Sequence, residues 1–463
     1  MSRFSKVLNA HTAILAVVFT CYGCNELDVS ESKLSQTEKS NDYAAENDSV
    51  LMDSYNDPGV LEPDFERTFQ ALPLAGKASK TPWTDSYWPK NKGGISYRWQ
   101  TGEAHTYQSP DRERAQQMSA EEIARLSPAE KYDLYVGSYE YPLTTKIKSE
   151  NRANESAWQG LCHGWTPAAI HFQEPAPVTG VNPDGIEVRF GSSDIKALLT
   201  YFQGEVVRTQ YAGRNLDFGA ETRSFGSECR SNNPRFAQCY DANPGAFHIT
   251  LANYVGLRKQ AFGIDATTTY EKWNQPVYQY DSQVMGREPI QNSPWGAVER
   301  VFVESNVTYT MEIEATWDAV NDTSAFSAKT KTYMYSLELD KEGTIIGGEW
   351  LTKTGNGGYM SLHQVIEHFQ QLDENGDGKP DLDENGVNSS VWQYFDFPDY
   401  VWFQDRAKLP TRFEMASKYA IQFQTESAKK ATYAYMGKLT ELYKAGIEAG
   451  CRADSNKCDP LVD

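Results

Sequence analysis

From about residue 187 the hydrophobic positions fall into a strand-like rhythm. The stretches IEVRF at 186–190, AFHITLANYVGL at 246–257, VERVFVESNVTYTMEIEATW at 298–317 and TKTYMYSLELDKEGTIIGGEW at 330–350 are rich in β-branched and aromatic residues at alternate positions, and each predicts strand. Asp340-Lys-Glu-Gly343 divides the last stretch into two β-rich runs and predicts a hairpin. Upstream the period is helical. Ser127-Pro-Ala-Glu130 sets a capping serine, a proline at the first helical position and a glutamate three residues on, ahead of Tyr132, Leu134, Tyr135 and Val136; Ser119-Ala-Glu-Glu122 is a second capping box. The segment from Met415 to Gly450 is helix-prone. Helices on either side of a run of antiparallel strands predict an α+β fold, and there is no internal repeat.

The ends of the chain read differently. Arg3 and Lys6 precede the apolar run Ala13–Phe19, which is too short to span a bilayer and predicts a secretory signal over residues 1–24. Gly23-Cys24 at its end matches a lipoprotein cleavage site. Two outcomes follow from this: an envelope protein anchored in a membrane through lipidated Cys24, or a secreted one released by an ordinary signal peptide. Residues 25–80 hold twelve acidic against five basic side chains and many Ser and Asn, which predicts a solvated tether or pro-segment. A catalytic domain is expected over 81–410, starting near the aromatic cluster TPWTDSYWP, and a helical segment over 411–463. The net charge of −19 over 463 residues, with no basic patch, argues against nucleic acid as a partner.

Cysteine usage sharpens the reading. Beyond the signal stand Cys162, Cys229, Cys239, Cys451 and Cys458, an odd number for an exported protein. Cys229 and Cys239 bracket one short polar loop, and Cys451 and Cys458 bracket another. Cys162 is then the odd thiol. It lies in WQGLCHGWTPAAIHF, where Pro167 is expected in a helix's first turn, so Cys162 falls at or just before the positive helix end, where a thiolate is stabilised. His163 is a poor base for it, since neighbouring side chains on a helix diverge. His248, expected at the start of a strand, is the more plausible imidazole, unless it is simply a core histidine. Asp265, in FGIDAT, is expected on the next strand as the carboxylate that orients the imidazole, or as the start of a turn.

The order Cys on a helix, His on a strand and Asp on the next strand resembles the papain-type plan shared by cysteine peptidases and transglutaminases. Trp273-Asn-Gln-Pro-Val277 resembles the hallmark peptide of the oomycete cell-wall transglutaminase elicitors, and SYWP, LSPAEKYDLYVG, WQGLCHGWTPAA and PDYVW extend the likeness from about residue 81 to 402. Resemblance to this family, which includes bacterial secreted members, implies a transglutaminase-like core. It implies a calcium-dependent enzyme that joins a glutamine carboxamide to a lysine or small primary amine through a Cys thioester. Carried over by position, Cys162 is the nucleophile, His248 the base and Asp265 its orienter. Gln159 is a candidate oxyanion donor, and Trp158, Trp165 and Trp273 are expected to shape the site. A papain-like peptidase or amidase shares all these residues. A calcium-stabilised surface binding protein does not need them.

A second motif stands apart. Asp373, Asn375, Asp377, Lys379, Asp381 and Glu384 occupy positions 1, 3, 5, 7, 9 and 12 of a calcium loop with Gly378 at position 6, and Leu362, Val365, Ile366, Phe369 and Leu372 supply an incoming helix. The alternative is an acidic Gly-rich turn.

Overall fold

The computed structural model describes residues 51–52, 56–207, 210–211, 214–215, 220–226, 242–266, 271–321, 326–353, 359–361 and 397–454. The two capping boxes form as expected. Ser119 opens α2 (Ala120–Ala124, after α1, Arg112–Gln117) and Ser127 opens α3 (Pro128–Tyr135), each with reciprocal serine and glutamate hydrogen bonds. α4 (Pro142–Glu150), α5 (Cys162–His171) and α6 (Ser192–Tyr201) follow; α6 runs on into a π-helical turn, Phe202–Val206.

An antiparallel sheet lies against these helices. Its strands are β1 (Ala75–Lys77), β6 (Thr222–Gly226), β7 (Phe262–Asp265), β8 (Asn274–Pro289), β9 (Glu299–Thr310), β10 (Ala328–Leu339), β11 (Ile345–Lys353), β12 (Tyr359–Ser361) and β13 (Tyr400–Gln404), while β2 (Val178–Val181) pairs with β3 (Glu187–Phe190) and β4 (Gln210–Tyr211) with β5 (Arg214–Asn215) as separate ribbons. The large sheet runs β12-β11-β10-β9-β8-β7-β13-β6, with β1 against β8. The expected hairpin turn joins β10 to β11, where the Asp340 carboxylate accepts from the backbone N–H of Glu342 and Thr344. Ala242 donates to the Asp399 carbonyl just before β13 and accepts from the Trp350 indole on β11. Strands distant in the order are thus drawn together around one helix.

That helix is α7 (Pro244–Thr250), continued as a π-helical stretch, Leu251–Leu257. The sequence predicts strand here, and the structure corrects it. Asn243 caps the Gly245 N–H and Pro244 takes the first helical position, a start signal that overrides the β-rich composition. All residues from Pro244 to Thr250 are buried, so alternation carried no information. His248 is therefore on a helix.

Two cores follow. One joins Trp83, Trp88, Trp165, Leu198 and Phe202 to Leu439, Leu442 and Tyr443. The last three come from α10 (Lys438–Ala453), which follows α8 (Lys418–Ile421) and α9 (Glu426–Tyr435), so the C-terminal helices belong to the main core rather than to a separate segment. The other core holds Phe247, Tyr254, Phe262, Ile264, Tyr335 and Trp350 together with Leu61, Phe65, Phe69 and Leu72. Those four lie within the expected tether, which from residue 56 onward packs into the fold instead of being solvated throughout. Cys451 is disulfide-bonded; Cys229, Cys239 and Cys458 lie outside the described residues.

Candidate active site

α5 begins at Cys162, where the sequence places its positive end. Leu161 caps it, fixed by its own N–H donating to the Tyr87 carbonyl at 2.6 Å. Gly160 permits this approach, because a Cβ there would stand 2.4 Å from that carbonyl oxygen. Pro167 is not in the first turn. It is the sixth helical residue, where it removes the N–H that would reach the His163 carbonyl. Gly164 meets Gly204 of the π-helical turn backbone to backbone, and a Cβ at Gly164 would stand 2.3 Å from the Thr200 carbonyl. These contacts lock the helix that carries the thiol.

Cys162 is 1 % exposed and not in a disulfide. Its Sγ lies 3.6 Å from the Lys272 carbonyl and receives the Asn274 Nδ2–H at 3.5 Å. Asn274 is itself fixed: the Tyr400 hydroxyl donates to its Oδ1 at 2.9 Å, and Thr166 Oγ1 on α5 donates to its carbonyl at 2.8 Å. Asp265 on β7 is paired directly with Asn274 on β8, so both side chains stand on the same face. Its Oδ1 accepts the Trp273 N–H at 2.9 Å. Burial holds Tyr400 well above the usual phenol range, and the negative charges of Asp265 and Cys162 push the same way, so Tyr400 remains a donor. Cys162, Asp265, Asn274 and Tyr400 thus form one electrostatically coupled cluster.

His248 is not part of it. Phe262 and Ile264 point into the second core, so Asp265, one residue on, points to the opposite face, toward α5. α7 lies on the Phe262–Ile264 side. There His248 is fully buried, shares a hydrogen bond between Nδ1 and the Tyr335 hydroxyl at 2.8 Å and stacks on Phe69, while Nε2 has no partner among the described residues. Burial pushes its imidazole down to about 4, so it stays neutral. The expected Cys–His–Asp order fails because the histidine segment folds as a helix behind the sheet. His163 turns away from the thiol as expected, toward Glu205 at 3.1 Å.

The remaining site residues divide. Trp273 is brought to the cluster, with its ring edge-on to Tyr87 at 5.5 Å. Trp165 is a core residue, 0 % exposed, its indole donating to the Trp83 carbonyl. Trp158 is partly exposed in the loop before the thiol. The Gln159 carbonyl accepts from Lys90, and its Oε1 is buried without a partner among the described residues. The calcium loop, with Asp373, Asn375, Asp377, Lys379, Asp381 and Glu384, lies outside the described residues. Among the described ones no group of His, Cys, Asp and Glu forms a metal cluster. The sequence reading missed Asn274, Tyr400 and Tyr87 as individual residues, although Asn274 lies inside the quoted Trp273–Val277 peptide.

No curated protein matches the chain. The fold is similar to that of the GP42 transglutaminase from Phytophthora sojae, with a TM-score of 0.51 and 22 % identity over 84 % of this chain and 94 % of that one. Residues 146–358 match the model of the family described as transglutaminase elicitor. This segment, which holds Cys162, Asp265 and Asn274, is similar to the transglutaminase elicitor family.

Proposed function

We propose that the protein is an exported transglutaminase: Cys162 attacks a glutamine carboxamide, ammonia leaves, and the resulting thioester is transferred to a primary amine. The observation that carries this reading is the Cys162 thiol at the first residue of α5, with the Asn274 amide donating to it and the Asp265 carboxylate on the same face of the adjoining strand pair. In this mechanism Asp265 accepts the thiol proton. The helix N-terminus and Asn274 Nδ2 stabilise the thiolate. After attack, the backbone N–H of Cys162 and Asn274 Nδ2 are the donors for the oxyanion, and Tyr400 keeps the Asn274 amide turned N–H-first toward the sulfur. The proton on Asp265 then goes to the departing ammonia, and the carboxylate takes one back from the incoming amine.

Calcium enters as a structural ion at residues 373–384, whose carboxylates, amide oxygen and carbonyl suit that hard cation. Export is supported by the N-terminal apolar run and the disulfide at Cys451; a lipid anchor at Cys24 is the attachment this reading favours. The test is turnover by the purified, calcium-loaded protein with a glutamine-bearing protein and a small primary amine. Ammonia release with covalent amine incorporation, both lost in Cys162→Ala, supports transamidation. New backbone amino termini without amine incorporation would replace it with a peptidase.

A further inference from the structure

Two tryptophans outside the thiol cluster are held in place around one buried carboxylate. Asp194, near the start of α6, is 0 % exposed. Its Oδ1 accepts the Trp99 indole N–H at 3.0 Å, and its Oδ2 accepts from Lys131 Nζ at 2.6 Å and from the Gly191 N–H at 2.7 Å. The same lysine stands 5.3 Å from the centroid of the Trp317 ring. Trp317 is also tied down by its own backbone, whose carbonyl accepts the Ser192 N–H at 2.7 Å. Its ring packs on Gly191, where a Cβ would stand 2.9 Å from ring carbon Cε3.

Both rings stay partly exposed, and with Gln100, Glu314 and Ala315 they line a cavity of about 470 Å³. That volume lies within the range of small-ligand sites, ~300–1,000 Å³. Burial would remove the large apolar surface of a tryptophan from water, so two of them held at an opening leave that surface for a ligand. The polar groups beside them are acceptors. Gln100 Nε2 donates to the Ala124 carbonyl at 3.0 Å, which fixes the amide and leaves Oε1 to accept. Glu314 is exposed and makes no hydrogen bond or ion pair among the described residues. Aromatic rings with acceptors beside them suit either a cation or a polyhydroxylated ring. Trp317 decides between the two: Arg189, always charged, stands 5.7 Å from its centroid in addition to Lys131, so a further cation would meet like charge. A neutral sugar avoids that repulsion. It lays weakly positive C–H groups on indole rings and donates its hydroxyls to amide and carboxylate oxygens.

We propose that the cavity between Trp99 and Trp317 is a saccharide-binding site: a neutral oligosaccharide stacks on the two indoles and donates hydroxyls to Gln100 Oε1 and the Glu314 carboxylate. Such a site attaches the protein to a polysaccharide surface. None of its lining residues belongs to the cluster around Cys162, so binding does not depend on acyl transfer.

The experiment is calorimetric titration of the full-length protein with cellohexaose, chitohexaose and laminarihexaose, and with choline as a cationic probe. At least one hexasaccharide is expected to bind, and choline is not. Trp317→Ala, with its fold checked by thermal melt because the ring packs on Gly191, weakens that binding about tenfold or more. Gln100→Ala and Glu314→Ala change exposed residues and so leave the fold intact; each weakens it roughly threefold, while Glu314→Gln, which keeps an acceptor, stays within about twofold. Cys162→Ala binds the saccharide as the wild type does, which keeps this test separate from that of acyl transfer. The site is overturned if none of the three hexasaccharides binds, or if their affinity is the same in Gln100→Ala and Glu314→Ala as in the wild type. Choline binding that is lost in Glu314→Gln would overturn it in favour of a cation site.

Discussion

Replacing His248 separates a structural imidazole from a catalytic one. His248→Phe keeps the ring that stacks on Phe69 and removes the hydrogen bond to Tyr335. The Tyr335 hydroxyl retains Ser282 and Ser305 as partners, so the loss at neutral pH sits near the low end of the range for a buried hydrogen bond, about 1 kcal/mol. His248→Ala also opens a cavity and costs about 3 kcal/mol. The pH dependence gives a second signature. The folded imidazole titrates at about 4 and the unfolded one near the ordinary histidine value, so between those limits the unfolded chain binds more protons. His248 therefore contributes stability that is full above the unfolded value and lost as pH falls toward 4, on the order of 3 kcal/mol in all. His248→Phe lacks that loss, so its unfolding free energy meets the wild type's at about pH 6 and exceeds it at lower pH. The assay is urea unfolding at pH 7.5, 6 and 4.5, paired with turnover per folded molecule at pH 7.5. Turnover should stay within about twofold, since loss of a true general base costs about a hundredfold or more. An unchanged unfolding midpoint with turnover down a hundredfold would refute this reasoning and return His248 to the reaction.

Other perturbations reach the site directly. Asn274→Ala removes the donor to Cys162 Sγ and the acceptor of Tyr400, so kcat should fall about a hundredfold, with a stability loss of about 2 kcal/mol by thermal melt; an unchanged kcat removes Asn274 from the site. Gly164→Ala forces a Cβ against the Thr200 carbonyl and Gly204, which should cost about 3 kcal/mol and shift the start of α5; wild-type stability would mean the helices pack less closely than described. Calcium at a hundredfold excess over its dissociation constant should stabilise the fold by about 2.7 kcal/mol, read as a rise in melting temperature that a chelator reverses and Asp377→Ala abolishes. A melting temperature indifferent to calcium would remove the ion from residues 373–384.

The capping boxes at Ser119 and Ser127 and the 340–343 hairpin turn were legible because each rests on local chemistry, a side chain that caps or a turn that needs Asp and Gly, whereas the helix start at Cys162 was reached through Pro167, which stands at the sixth helical position and not in the first turn. α7 was not, because a fully buried segment carries no alternation, and Asn243-Pro244 was the local cue that outweighed its β-branched residues. The same error moved His248 to the wrong side of the sheet. Asp265 was placed correctly on its strand, but its partner across the ladder is Asn274, and no spacing rule in a single sequence links residues 162, 274 and 400. The acidic segment before residue 80 read as solvated because its charge hides Leu61, Phe65, Phe69 and Leu72, which the fold buries.

The central claim is a covalent acyl-enzyme on Cys162. Intact-mass measurement of the calcium-loaded protein, quenched in acid after mixing with a glutamine-containing peptide and no amine, should find an adduct of the peptide's mass less ammonia. Fragmentation should locate it on Cys162, added amine should discharge it, and Cys162→Ala should show none. An adduct on any other residue, or amine incorporation by Cys162→Ala at the wild-type rate, would contradict the account.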